Sequence, residues 1–214
     1  MTVMNVPGEY FAAQYRDAED PWRLAERWYE QRKYALTLAA LPAPRYRRAF
    51  EPGCSVGVLS ALLAERCDEL VSWDREPAAV RQAAARLEPH PGAQARLGTV
   101  PEQWPDGHFD LIVFSELLYY LGTVELTHAA RAAADSLDPG GHLVAVHWRH
   151  PVREHAQSAE RVHATVRAQP GLAPLVRHEE PDFLLEVFVR FDPAAEEAHT
   201  AARRSSVAAI EGLV

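Results

Sequence analysis

Cysteine is scarce in this chain: Cys54 and Cys67 are the only two in 214 residues. They form neither a disulfide framework nor a metal-ligand spacing, so a reducing cytoplasm is the expected compartment. Long apolar runs are missing as well. No stretch approaches the ~18 residues that suggest a membrane-spanning helix. The start, Met1-Thr2-Val3-Met4-Asn5, lacks a charged segment followed by an apolar one. Neither a signal peptide nor a membrane span is therefore expected. A basic stripe is absent too. Lys and Arg total 22 against 30 Asp and Glu, for a formal net charge of −8, and the basic residues are scattered and mostly arginine. That balance argues against a nucleic-acid partner. His150, His155 and His163 stand at no metal-ligand spacing with carboxylates, so no metal is expected. With no long apolar stripe to cover, the chain is expected to be a monomer or a homodimer.

What is present is ordinary for a globular protein: 48% hydrophobic and 24% charged residues, in a length that suits one domain with a core of its own. Heavy Ala, Arg and Pro usage is that of a GC-rich bacterial genome. Residues 1–20 read as a mobile arm. Residues 21–40 carry Trp22, Leu24, Trp28, Tyr29, Leu36 and Leu38 at helical spacing, and Leu41-Pro42-Ala43-Pro44 ends that helix. Thereafter strands and helices alternate. Strands are expected at 49–51, 70–74, 94–98, 109–114, 142–148, around 175–178, and at 183–190. Helices are expected at 58–67, 78–87, and up to about 137. Alternation at this spacing means βαβ units and a doubly wound α/β fold with a mostly parallel sheet, and the last pair of strands suggests a closing hairpin. Residues 191–214, rich in Ala and Glu, read as a loose helix or a partly disordered tail. The expected division is an arm and cap helix over 1–40, a core over 41–190, and a tail over 191–214.

The most informative segment is Phe50-Glu51-Pro52-Gly53-Cys54-Ser55-Val56-Gly57-Val58-Leu59, followed by an acidic strand end at Asp74. Two glycines four apart between an apolar strand and an amphipathic helix describe a tight turn that lets a ligand approach the backbone. An acidic residue about 20 positions on suits a ribose with free hydroxyls. Gly53-Cys54-Ser55-Val56-Gly57 also fits the Gly-x-Ser-x-Gly elbow of a serine hydrolase, with Ser55 as nucleophile. Yet no oxyanion-hole segment precedes it, and a triad drawn from Asp135 or Asp138 with His147 has no independent support. A dinucleotide cradle needs Gly-x-Gly-x-x-Gly; Ser55 occupies the middle glycine position, and Glu51 would repel a pyrophosphate. The same carboxylate suits a ligand that carries an ammonium and a sulfonium. S-adenosylmethionine has both, and Glu51-x-Gly53-x-x-x-Gly57 with Asp74 is the motif pair of a class I methyltransferase. A tight turn with no ligand is the plainer alternative.

The chain also resembles a narrower group, the nodulation protein S (NodS) methyltransferases. The resemblance is carried by Asp20-Pro21-Trp22, Tyr29-Glu30-Gln31-Arg32-Lys33-Tyr34, Glu51-Pro52-Gly53-Cys54, Arg66-Cys67 and Phe109-Asp110-Leu111-Ile112-Val113. It continues in Ser115-Glu116-Leu117-Leu118-Tyr119-Tyr120-Leu121 and Leu137-Asp138-Pro139-Gly140-Gly141-His142-Leu143. It implies a seven-stranded Rossmann-like sheet under an N-terminal helical cap, with S-adenosylmethionine as cofactor and S-adenosylhomocysteine as product. It places Glu51, Gly53, Cys54, Ser55 and Gly57 at the methionine part, Asp74 at the ribose, and Arg75 beside the adenosine. Thr99 and Val100 take the adenine position, where Thr99 replaces the family's usual Asp. Ser115 and Glu116 lie beneath the cofactor, with Lys33 at its carboxylate and Trp22 and Tyr29 in a lid. The group is associated with N-methylation of an amine on a partly deacetylated chitooligosaccharide. That substrate is not carried over, because the segments that shape an acceptor pocket match least.

Methyl transfer from a sulfonium requires alignment and exclusion of water, and an amine acceptor must be neutral to attack. His147 at a strand end is the expected base, with Glu116, Tyr119 and Tyr120 as further catalytic candidates. Trp148 could wall a cationic or sugar acceptor, or simply pack in the core. The expected reaction is transfer to a small-molecule acceptor, an amine of an amino sugar or of a secondary metabolite, with a hydroxyl as the alternative.

Overall fold

The computed structural model describes residues 5–214; the first four residues of the expected arm lie outside the described residues. The helices in chain order are α1 (Gly8–Asp17), α2 (Trp28–Ala40), α3 (Val58–Ala64), α4 (Pro77–Leu87), α5 (Thr123–Ser136), α6 (Ala159–Arg167), α7 (Ala198–Arg204) and α8 (Val207–Ile210). The strands are β1 (Tyr46–Pro52), β2 (Cys67–Asp74), β3 (Ala93–Leu97), β4 (Phe109–Ser115), β5 (Leu137–Trp148), β6 (Leu172–Glu179) and β7 (Phe183–Arg190). They form one seven-stranded sheet in the order β3-β2-β1-β4-β5-β7-β6. All neighbours are parallel except β7, which runs antiparallel to both β5 and β6. The closing hairpin is thus β6–β7.

Two apolar faces make this sheet doubly wound. Side chains alternate along a strand. In β4 and β5, Ile112, Phe114, Leu143 and Ala145 point to one face, where Leu126, Ala130 and Ala133 of α5 and Val162 and Val166 of α6 cover them. Leu111, Val113, Val144 and Val146 point to the other, under Tyr34 of α2 and Leu59 and Leu63 of α3. A strand buried on both sides reads as a continuous apolar run, which is why Phe109 to Phe114 is the plainest strand in the sequence.

The chain order creates the site. From β1 the chain winds outward through β2 to β3, then returns to the other side of β1 as β4. Pairing of β1 with β4 runs only through Ala49–Leu111 and Phe50–Ile112. Beyond that pair the two strands diverge at their carboxyl ends, the place where open α/β sheets bind ligands.

Several expectations are corrected. The arm is not loose over its described part, because α1 occupies Gly8–Asp17. Its aromatic residues find partners in the turn after β4, with Phe11 edge-on to Tyr120 at 4.9 Å. The next helix begins at Trp28 rather than at Pro21. Arg23 has φ of +56°, outside the right-handed helical region, and Asp20 accepts the Ala25 N–H at 3.0 Å, which folds 20–27 into turns. The α3 helix stops at Ala64 and Cys67 already belongs to β2. A helix at 159–167 is missing from the periodic pattern; Ser158 caps it and it buries Val162, His163 and Val166. In the tail, α7 docks through Ala201 on Ala173, Val189 and Phe191.

Gly57 sets the spacing between α3 and α4. It precedes α3 with φ of +79°, and a Cβ there would lie 2.7 Å from Ala83 Cα in α4. Gly57→Ala is expected to lower stability by about 2 to 4 kcal/mol through combined backbone strain and overpacking, measured as a shift of the urea midpoint.

Candidate active site

A cavity of about 830 Å³ opens at the carboxyl ends of β1, β2, β4 and β5. Residues of α1 and α2 complete its wall, Tyr10, Phe11 and Tyr15 from the first and Tyr29, Lys33 and Tyr34 from the second.

One half is built from the glycine loop. Glu51 in β1 is 2% exposed, and its Oε2 accepts a hydrogen bond from Ser72 Oγ at 2.8 Å. Among the described residues no cation pairs with it. Burial pushes its pKa up to about 7, with Asp74 adding repulsion against the opposing serine hydrogen bonds. Beside it, Gly53 and Ser55 both adopt positive φ (+78° and +50°), and the Gly53 and Cys54 N–H groups donate to Trp73 O at 2.7 and 2.9 Å. The loop is thereby clamped to the end of β2. There Asp74 Oδ2 accepts the Ser55 N–H and Oδ1 the Glu76 N–H, both at 2.9 Å. Burial raises the Asp74 pKa, opposed by those backbone donors. Each Asp74 oxygen retains acceptor capacity for a hydroxyl pair. Arg75, Thr99 and Val100 line the cavity beyond it, and Cys54 and Ser115 line it below. Burial pushes the Cys54 thiol well up, so it stays protonated.

This arrangement fits the cofactor that the motifs imply. A buried carboxylate without a cation is incomplete, and a ligand ammonium completes it. Two hydroxyl acceptor positions one strand away suit a ribose.

The other half centres on Glu116. It has φ of +55°, and its N–H donates to Val146 O of β5 at 2.9 Å. Its Oε1 takes Lys33 Nζ at 2.6 Å. Its Oε2 takes the Tyr119 hydroxyl at 2.6 Å and the Trp148 N–H at 3.0 Å. Lys33, the only lysine of the chain, also pairs with Glu30 at 2.9 Å and is 2% exposed. Burial alone would depress the Lys33 pKa, but the carboxylates of Glu116 and Glu30 outweigh it and raise the value. Tyr29 edges onto Trp148 at 5.2 Å, and its buried hydroxyl has no partner among the described residues. Tyr119, Tyr120, His155 and Asp182 complete this wall.

Comparison with known proteins fits this geometry. Residues 11–169 match the nodulation protein S (NodS) family. The chain belongs to that family. A nodulation protein S of Rhizobium tropici is 34% identical over 129 residues, which cover 59% of this chain and 54% of that protein. The chain therefore spans about half the length of that curated relative. A crystal structure of a Pseudomonas syringae protein, provisionally assigned as a methyltransferase, is 49% identical with a TM-score of 0.69, covering 77% of this chain and all (100%) of that one. The crystal structure of the N-methyltransferase NodS of Bradyrhizobium japonicum with S-adenosylhomocysteine is 26% identical with a TM-score of 0.78, covering 86% and 98%. The fold is the Rossmann-like methyltransferase fold with its N-terminal helical region.

Of the residues expected at this NodS-type site, Trp22, Tyr29, Lys33, Glu51, Gly53, Cys54, Ser55, Asp74, Arg75, Thr99, Val100, Ser115, Glu116, Tyr119 and Tyr120 all line one cavity. Gly57 does not; its place is the turn into α3. His147 is the main correction. It is fully buried, its Nε2 accepts the Leu118 N–H at 3.2 Å, and its Nδ1 meets His163 Nε2 at 3.1 Å. Burial, with His163 and Lys33 adding repulsion, lowers its pKa well below the usual value. A neutral imidazole with both nitrogens committed fixes the turn at Leu118 and is not among the residues that line the cavity.

The hydrolase alternative fails on the same geometry. Ser55 Oγ lies 2.6 Å from the Tyr15 hydroxyl, Asp138 pairs with Arg47 and Asp135 with Arg131. Among the described residues no imidazole hydrogen-bonds to Ser55. Lys33, expected at the cofactor carboxylate, donates to Glu116 and is ion-paired with Glu30 as well. Tyr10, Phe11, Tyr15, Glu30, His155 and Asp182 enter the site without having been expected there. The Glu30/Lys33 spacing on a helix was the available signal for one of them.

Two consequences follow for stability. Lys33→Met would leave Glu30 and Glu116 facing each other unpaired, and should cost about 3 to 5 kcal/mol in urea unfolding. Glu51 has its pKa raised on folding, so the ligand-free folded state binds more protons than the unfolded chain between the ordinary glutamate value and about 7. Stability contributed by this group is full at low pH and is lost as pH rises through that window, by about 3 kcal/mol. Glu51→Gln should remove that slope and leave the ligand-free protein more stable than wild type at pH above about 7, read by unfolding at a series of pH values.

Proposed function

We propose that this chain is an S-adenosylmethionine-dependent methyltransferase acting on a small-molecule acceptor, an amine nitrogen of an amino sugar or of a secondary metabolite. The observation that carries the reading is the buried, cation-free Glu51 set beside Asp74 in one cavity at the divergence of β1 and β4. Family membership supports it, as does a NodS relative that is an N-methyltransferase with S-adenosylhomocysteine bound.

Bound there, S-adenosylmethionine supplies a methyl carbon on a sulfonium sulfur, already activated for in-line displacement. The chain's own work is placement and shielding. Glu51 pairs with the ammonium, Asp74 takes the ribose hydroxyls, and Thr99 and Val100 flank the base. Lys33 keeps one N–H free of Glu30 and Glu116 for the carboxylate. Ser115 and Glu116 form the floor. Tyr29, Trp148, Tyr119 and Tyr120 wall the acceptor half, keep water out and offer ring faces to a cationic nitrogen. The fixed negative charge of Glu116 favours an amine over a neutral hydroxyl at that position.

Calorimetry with S-adenosylmethionine and S-adenosylhomocysteine tests the cofactor assignment; absence of binding by both would sink it. Asp74→Asn turns an N–H of the new amide towards a backbone N–H of Ser55 or Glu76, and should weaken binding about 100-fold. A turnover panel of amines and alcohols then tests the acceptor class. Amine methylation is the expected outcome, and exclusive alcohol methylation would replace it with the O-methyl reading.

A further inference from the structure

If an amine is the acceptor, some group must hold the proton that its nitrogen loses, and most ionisable side chains of the acceptor half are committed elsewhere. Glu116 receives three donors. Glu30 is paired with Lys33. Asp182 Oδ1 meets His150 Nε2 at 2.7 Å. Tyr119 donates to Glu116, and burial raises the pKa of both Tyr119 and Tyr120, so they hold their protons. His147 is not among the residues that line the cavity. His155 is different: it lines the cavity, and among the described residues neither ring nitrogen has a hydrogen-bond partner.

Its placement is built rather than incidental. Ala156 N–H and Gln157 N–H both donate to Tyr119 O, at 2.8 and 3.0 Å, and His155 N–H donates to Val152 O at 3.1 Å. These bonds lock the 152–157 loop onto the turn that follows β4. The imidazole lies flat on the Tyr119 ring, with centroids 3.7 Å apart and planes at 15°. Tyr120 meets its edge at 5.1 Å. Stacking fixes the plane of the ring and leaves its nitrogen edge free.

We propose that His155 is the proton acceptor of this site, an assignment that rests on the methyltransferase reading above. A protonated amine gives its proton to an unprotonated ring nitrogen of His155, and the electrons of the broken N–H bond stay on the amine as a lone pair. That lone pair forms the new bond to the methyl carbon while the electrons of the carbon–sulfur bond pass to sulfur, cancelling its charge. The imidazolium then releases its proton to solvent. The surroundings accept both states. Burial lowers the His155 pKa, against the pull of Glu116 and Glu154, so the ring is neutral and receptive near pH 7. Once charged, it lies over the Tyr119 ring and is attracted by those two carboxylates. The other titratable groups on this side are Tyr119 and Tyr120 of the turn, His147 of β5, Tyr29, Glu30 and Lys33 of α2, Tyr10 of α1, and Asp182.

The experiment uses full-length protein, S-adenosylhomocysteine for binding, and S-adenosylmethionine with D-glucosamine as the probe amine. His155→Phe keeps a flat ring for the Tyr119 stack but carries no nitrogen; His155→Gln keeps polarity without titrating. Both should bind S-adenosylhomocysteine within about twofold of wild type and lose about 100-fold in kcat. Wild-type turnover should fall as pH drops through the His155 pKa, below the usual histidine value of about 6.5, and this acid limb should vanish in both variants. Added imidazole should restore turnover to His155→Ala. A readout free of turnover is the His155 ring signal in NMR, which should move when D-glucosamine is added to protein saturated with S-adenosylhomocysteine. Turnover of His155→Phe within about twofold of wild type with the acid limb intact would overturn the assignment, and so would an unmoved His155 signal. Failure of wild type to bind S-adenosylhomocysteine would instead overturn the cofactor reading on which it rests.

Discussion

The carboxylate of Glu116 ties together four separate parts of the chain. It joins the end of β4, on which it sits, to Lys33 of α2, to Tyr119 of the following turn, and to the backbone of Trp148 at the end of β5. Its left-handed backbone turns the side chain back against the sheet. Through Lys33 the arrangement extends to Glu30, and through Tyr119 it extends to the loop that carries His155. A buried ion pair adds little to stability relative to apolar packing, while removal of one partner is costly. What the network provides is position: a cap helix, a turn and two strand ends share one geometry along one side of the cavity.

The two halves of the cavity treat buried charge in opposite ways. Lys33 is neutralised twice over by the protein itself. Glu51 is left without a cation, and its raised pKa reports the strain of that burial. An uncompensated carboxylate destabilises the ligand-free fold and strengthens the hold on a cationic ligand by a comparable amount, because the same desolvated charge enters both balances. This contrast separates residues that shape the site from residues that await something in it.

Much of the fold was legible in advance where local chemistry leaves few choices. The run at Phe109–Phe114 reads as a buried strand, and the two glycines after β1 mark a strand-turn-helix unit without long-range information. The N-terminal segment was less legible. Residues Gly8–Asp17 bury no side chain completely, so no strong apolar stripe announces a helix whose partners, Ser55 and Tyr120, lie far along the chain. The helix at Ala159–Arg167 is short and built around a buried histidine, which a polar-versus-apolar pattern counts on the wrong side.

The glycine-loop half of the cavity was a matter of sequence. Glu51, Gly53 and Asp74 lie at or beside two consecutive strand ends, and turn chemistry with a single carboxylate at each end restricts the ligand that such a loop accepts. Which histidine lines the cavity was decided only in three dimensions. The sequence singled out His147 at the end of β5 as the base and gave His155, in the loop after that strand, no such role. Strand alternation points His147 inward to His163 and Leu118, whereas backbone bonds to Tyr119 turn His155 to the cavity. Which imidazole lines the cavity depends on the parity of a strand and on hydrogen bonds that the loop donates to Tyr119, more than thirty positions earlier in the chain, and neither is written in the local sequence.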